Sequence, residues 1–207
     1  IFAHCVIDVW FEDTVKKHCR GAVKMVRYAD DMVIACTLET DAVRVKAALT
    51  QRLAKFKLKL NEEKTKLVKF SRKQYEQGIK QESFDFLGFT FYLGKSKKGV
   101  AIPKLKTKKK TFCAKLKRVK VWIKQVKDKQ PLKSIWSSFC SKLRGHIQYY
   151  GVSFNKEHVR SFVYEATRLI FKGLNRRSQR KSFNWEQFDR FMKKYPRPMT
   201  RIVVKLF

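Results

Sequence analysis

The sequence predicts an α+β chain, with β-hairpins and packing helices in its first half and an α-helical module of about three helices in its second. Three observations carry this. Short β-prone runs flank turn residues up to residue 102, composition changes at Pro103, and beyond it apolar residues recur every three to four positions.

Taken in order, Phe2, Val6, Val9, Trp10 and Val15 recur at mixed three- and four-residue spacings, which predicts an amphipathic helix over 1–18 ending before Gly21. Val23 and Met25, then Met32 to Cys36, are β-prone segments on either side of Tyr28-Ala29-Asp30-Asp31, so a hairpin with the aspartate pair at its tip is expected. Ala42, Val45, Leu49, Leu53 and Phe56 share one face of a helix over 41–56 with Thr40 as N-cap. Asn61 to Thr65 reads as a turn before a strand over 66–70. The aromatic run Phe84 to Leu93, interrupted by Gly88, reads as a further strand, and the loop Gly94 to Gly99 closes a hairpin onto 100–102. Three helices are expected over 111–127, 131–150 and 155–174, then a short helix around Trp185, Phe188 and Phe191 and an extended tail containing Pro196 and Pro198.

Charge narrows the function classes. Among 207 residues, 49 Lys+Arg against 17 Asp+Glu give a formal charge of +32. A surface this basic binds a polyanion. Nucleic acid is favoured over an anionic membrane or an acidic protein, because Lys and Arg are spread through aromatic-rich segments and not confined to one amphipathic helix. No stretch has the apolar length of a membrane span, so no membrane partner is expected. Five cysteines at wide spacings, without a Cys-x-x-Cys pair, read as reduced thiols. His4, His18, His146 and His158 lack partners at ligand spacing, so none is expected to bind metal. The start at Ile1, running straight into Ile-Phe-Ala-His-Cys-Val-Ile-Asp, predicts a fragment.

Two adjacent carboxylates repel one another, and a divalent cation removes that penalty. Magnesium prefers carboxylate oxygens and keeps waters that substrate phosphates replace, so Asp30 and Asp31 suit half of a metal site for phosphoryl or nucleotidyl transfer. Tyr28-Ala29-Asp30-Asp31, within Val26 to Val33, resembles the palm motif of reverse transcriptases. Downstream, Leu58-Lys59-Leu60-Asn61-Glu62-Glu63-Lys64-Thr65 resembles the next block of that family, and Phe84-Asp85-Phe86-Leu87-Gly88-Phe89 its primer-grip block. Lys142 to Gly151 resembles the thumb, or X domain, of group II intron maturases, and the basic, Trp-containing Leu174 to Trp185 is similar to the segment that closes that domain.

The resemblance implies a partial polymerase palm over 1–102 and a helical thumb with a basic tail over 103–207. It implies an RNA-directed DNA polymerase and splicing maturase of a mobile group II intron, with Mg²⁺ on Asp30 and Asp31. Tyr28, Ala29, Lys64, Leu87 and Gly88 would then contact nucleotide or primer. RNA-binding residues are expected at Lys104, Lys106, Lys108, Lys109, Lys110, Lys117, Arg118, Arg144, Arg176 and Arg177. Partners would be group II intron RNA, an RNA template, a DNA primer and deoxynucleoside triphosphates, in the bacterial cytoplasm as a ribonucleoprotein or in an organelle, with a homodimer left open. Trp122, Trp136, Tyr149, Tyr150 and Trp185 would stack on unpaired bases or, at helical spacing, belong to the core; Gly145 and Gly151 would mark close packing and a helix end. The family's earlier palm aspartate and its fingers have no counterpart here, and Asp8 does not match that acid, so this chain alone is expected to be inactive. A splicing cofactor without polymerase activity, and a retron or diversity-generating reverse transcriptase, are the alternatives.

Overall fold

The computed structural model describes residues 2–176 and 184–206. The chain is mixed α and β and divides into two compact units, residues 1–87 with 92–103 and residues 88–91 with 104–207.

The first unit opens with α1, built from the π-helical segments His4–Val9 and Phe11–Val15 and the α-helical turn Lys16–His18. Strands β1 (Val23–Tyr28) and β2 (Asp31–Cys36) pair antiparallel from Val23↔Cys36 to Tyr28↔Asp31. Helix α2 (Glu39–Lys55) buries Val45, Leu49 and Leu53 at a four-residue repeat. Leu49 and Leu53 pack with Val6 and Ile7 of α1, and Val45 with Phe11 and Val15 of α1 and Val23 of β1; Met25 and Ile34 of the hairpin pack against both clusters.

Three expectations for this unit are corrected. Thr40 is not the N-cap of α2, because the helix begins one residue before it and Leu38 occupies the cap without a side-chain bond. The inward position of the first turn belongs to Asp41, 1% exposed, whose Oδ2 accepts from the Gly21 amide at 2.8 Å, while Phe56 is exposed. Residues 66–70 form no strand. They join no ladder, although the Phe70 ring packs 5.7 Å from Phe84 of the following strand, and the chain passes instead into the short helix α3 (Arg72–Glu76), capped by Ser71 Oγ.

Strands β3 (Phe84–Phe86), β4 (Phe89–Lys95) and β5 (Ala101–Thr107) form a second sheet in that order. Strand β5 runs through Pro103 instead of ending before it. An edge strand tolerates proline, which has no amide hydrogen to contribute to a ladder.

The second unit is a helical bundle of α4 (Lys109–Val126), α5 (Leu132–Tyr150), α6 (Lys156–Leu174) and α7 (Trp185–Lys194). Ile135, Phe139, Leu143, Ala166, Ile170 and Phe188 form its buried centre. Helices α4 and α6 approach so closely that a Cβ on Gly173 would lie 2.5 Å from the Ile123 side chain. Asn155, fully buried, ties β5 to the bundle: its Oδ1 accepts from the Thr107 amide at 2.7 Å and its Nδ2 donates to the Tyr150 carbonyl at 2.9 Å. Gly151 does cap α5, whereas Gly145 has open space around it and marks no close contact. All five cysteines are free thiols. Among the described residues no helix is long and apolar enough to cross a membrane.

Candidate functional site

The β1–β2 hairpin turns through only Ala29 and Asp30, and the last paired residues are Tyr28 and Asp31. Ala29 has φ 51°, in the left-handed region that costs a residue with a side chain roughly 1–2 kcal/mol. The turn holds this conformation with help from Arg27, whose Nη1 donates to the Ala29 carbonyl at 2.8 Å. The same guanidinium grips Asp8 of α1 twice, Nε to Oδ1 and Nη2 to Oδ2, each at 2.6 Å. Those bonds hold the Asp8 carboxyl down at about 2, and donating to Asp8, with the negative charges of Asp8 and Asp30 nearby, pushes the Arg27 guanidinium up. Tyr28, Ala29, Asp30 and Asp31 all face solvent, with Tyr28 67% exposed.

An exposed, adjacent pair of aspartates at a braced hairpin apex is therefore the feature to be explained. Residues 2–91 match the reverse transcriptase (RNA-dependent DNA polymerase) family. The reverse transcriptase match covers α1, the hairpin, α2, α3, β3 and the start of β4, and so contains the aspartate pair. No curated protein and no solved structure matches the chain.

Reverse transcriptases act with a divalent cation, and the donor set at the apex suits one. Two solvent-facing carboxylates offer the hard oxygens that Mg²⁺ prefers and leave room for the waters it keeps. Among the described residues no group of three metal-ligating side chains is found, so Asp30 and Asp31 would hold such an ion without a third acid from this chain. Asp8 is engaged by Arg27 and does not serve as that third acid. His4, expected to lack a carboxylate partner, bonds Asp8 through Nδ1 at 3.0 Å.

The remaining candidates are placed separately. Lys64 is exposed in the Asn61 turn, its amide bonded to Asn61, and no hydrogen bond or ion pair joins its side chain to Asp30 or Asp31. Leu87 and Gly88 form the β3–β4 turn, with φ 49° and 78°. A Cβ on Gly88 would lie 2.7 Å from Tyr150 Oη, so the hydroxyl of a core tyrosine occupies the space a side chain would need.

In the second unit Lys106, Lys109, Lys110, Lys117, Arg118, Arg144 and Arg176 are exposed, and Lys104 and Lys108 are half-buried. Lys104 and Lys106 lie on β5 and the others of this group on or beside helices. Lys104 Nζ sits 5.5 Å from the centre of the Phe154 ring. Arg177 lies outside the described residues. Trp136 and Tyr150 are core residues, Trp122 packs against the core, and Tyr149 and Trp185 are about half exposed, Trp185 stacked on Phe171 at 3.8 Å. Asp8 and Arg27 are the pair that sequence reasoning missed; an acid and a base 19 positions apart carry no local signal.

Proposed function

We propose that this chain belongs to an RNA-directed DNA polymerase of the group II intron type, with Asp30 and Asp31 as its catalytic carboxylates and the second unit as its RNA-binding thumb. The observation that carries the reading is the exposed aspartate pair on a two-residue hairpin turn within the part of the chain similar to reverse transcriptases. Bound at the pair, Mg²⁺ would supply the positive charge that nucleotidyl transfer between anionic reactants requires.

The chain's own residues present and brace those carboxylates. The reaction they serve is attack of a primer 3′ hydroxyl oxygen on the α-phosphorus of a deoxynucleoside triphosphate; the bond to pyrophosphate breaks as the new phosphodiester forms. Tyr28, Ala29 and Lys64 lie on the nucleotide side of this reading, and Leu87 and Gly88 on the primer side. Positioning and charge account for most of the rate in such reactions.

The basic residues of the second unit neutralise phosphates of intron RNA or of the template duplex. The chain's charge of +32 also favours a splicing role that needs no copying. The two roles separate experimentally. In protein expressed from its complete reading frame, Asp30→Asn should abolish primer extension on an RNA template and leave intron splicing intact. Charge reversal of Lys108, Lys109 and Lys110 should weaken intron binding and flatten its salt dependence. Near-normal extension by Asp30→Asn would overturn the catalytic assignment, and unchanged intron affinity after the reversal would overturn the RNA surface. On this reading the protein acts as a ribonucleoprotein in the bacterial cytoplasm or an organelle.

A further inference from the structure

We propose that Asp8 and Arg27 form a positioning clamp that fixes the Tyr28–Asp31 turn and keeps Arg27 away from the metal-binding carboxylates. The proposal rests on the reading of Asp30 and Asp31 as catalytic.

The guanidinium uses three of its nitrogens at once. Nε and Nη2 are committed to the two oxygens of Asp8 at 2.6 Å, and Nη1 reaches the Ala29 carbonyl at 2.8 Å. The planar fork of arginine allows this geometry and the point charge of lysine does not. The Arg27 side chain is 16% exposed and that of Asp8 25%, so both are better shielded than a surface ion pair. Asp8 stands on α1, whose buried neighbours Val6, Ile7 and Phe11 anchor it to the unit's core. The clamp therefore ties α1 to the one left-handed residue of the hairpin turn.

A second consequence concerns charge. Arg27 Nη1 already reaches the carbonyl of Ala29, the residue next to Asp30, at 2.8 Å. Without a partner of its own, the guanidinium would turn to Asp30 and compete with any cation there. Asp8 opposes this by engaging two of the three guanidinium nitrogens. His4 Nδ1, at 3.0 Å from Asp8 Oδ2, is the other polar group on this carboxylate.

The test uses two readouts on Asp8→Asn and on the reversed pair Asp8→Arg with Arg27→Asp. In the 207-residue chain, ¹⁵N relaxation reports the turn: wild-type order parameters at Ala29–Asp31 should sit near about 0.85 and fall below about 0.6 in Asp8→Asn, with β1 and α2 unchanged. In the protein from the complete reading frame, the Mg²⁺ concentration for half-maximal primer extension should rise about fivefold in Asp8→Asn, the size of one exposed Arg27–Asp30 ion pair, at an unaltered KM for nucleotide.

The reversed pair restores the attraction but cannot donate to the Ala29 carbonyl, so its turn should stay mobile even where stability recovers. Should Asp8→Asn unfold the first unit, the reversed pair carries the test. A rigid turn in either variant, or an unchanged Mg²⁺ requirement in a folded Asp8→Asn protein, overturns the proposal. Failure of the catalytic reading shows itself differently, as Asp30→Asn retaining extension while the turn still loosens in Asp8→Asn.

Discussion

His146 of α5 is buried, and neither ring nitrogen has a hydrogen-bond partner. It stacks on Phe162 at 3.7 Å and on Tyr150 at 4.8 Å between ring centres. Burial, and then the charge of Lys115, hold its pKa down at about 3. The folded protein therefore keeps it neutral down to low pH, while the unfolded chain protonates it near the ordinary value of about 6.5. Because the unfolded state binds the extra proton, the stability this depression contributes is complete above about pH 6.5 and is lost progressively as pH falls towards 3. Between pH 7 and pH 5 the loss from this one group is about 2 kcal/mol, a figure set by the unfolded value as long as the folded one stays well below 5.

Substituting His146→Phe keeps the stacking and removes two unpaired nitrogens, so it should be neutral or stabilising at pH 7 and about 2 kcal/mol more favourable at pH 5. Urea unfolding at the two pH values, followed by tryptophan fluorescence, provides the measurement, since Trp122, Trp136 and Trp185 all report from the second unit. Equal pH slopes in wild type and variant would refute the reasoning. So would a loss above about 1 kcal/mol at pH 7, which would mean that the ring makes a hydrogen bond of ordinary worth.

Two further outcomes concern the second unit. Asn155→Ala leaves the Thr107 amide and the Tyr150 carbonyl without their bonds and should cost about 2–6 kcal/mol in urea unfolding, whereas Thr107→Val should cost about 1 kcal/mol. Gly88→Ala should destabilise through its positive φ and its overlap with the Tyr150 hydroxyl, by about 2–4 kcal/mol, and Tyr150→Phe in the same protein should recover the overlap share alone.

The hairpin and its aspartates were legible because β-prone runs on both sides leave Tyr28 to Asp31 as the only place to turn. Helices α4, α5 and α6 were legible from spacing, since Ile135, Phe139 and Leu143 repeat at helical period and all are buried. What failed depended on partners distant in sequence. Residues 66–70 look β-prone but join no sheet, Phe70 meeting β3 through its side chain alone, and β5 passes Pro103 because it is the edge of its sheet. The role of Asn155 depends on Thr107, 48 positions away, and that of Asp8 on Arg27 of β1, 19 positions away. Composition pointed to the charged surface as a whole. Which aromatics belong to it was decided by packing, so Trp136 and Tyr150 went to the core and Tyr149 stayed outside.

The assignment of Asp30 as a metal-holding carboxylate is tested most directly by metal rescue of primer extension in protein from the complete reading frame. Asp30→Cys replaces a hard oxygen donor with a soft thiolate, so activity with Mg²⁺ should fall about 10²–10³-fold and return in part with a thiophilic ion such as Cd²⁺. Asp30→Ala should be rescued by neither ion. Wild-type extension by Asp30→Cys in Mg²⁺, or equal activity of the Cys and Ala variants in every metal, would contradict the assignment.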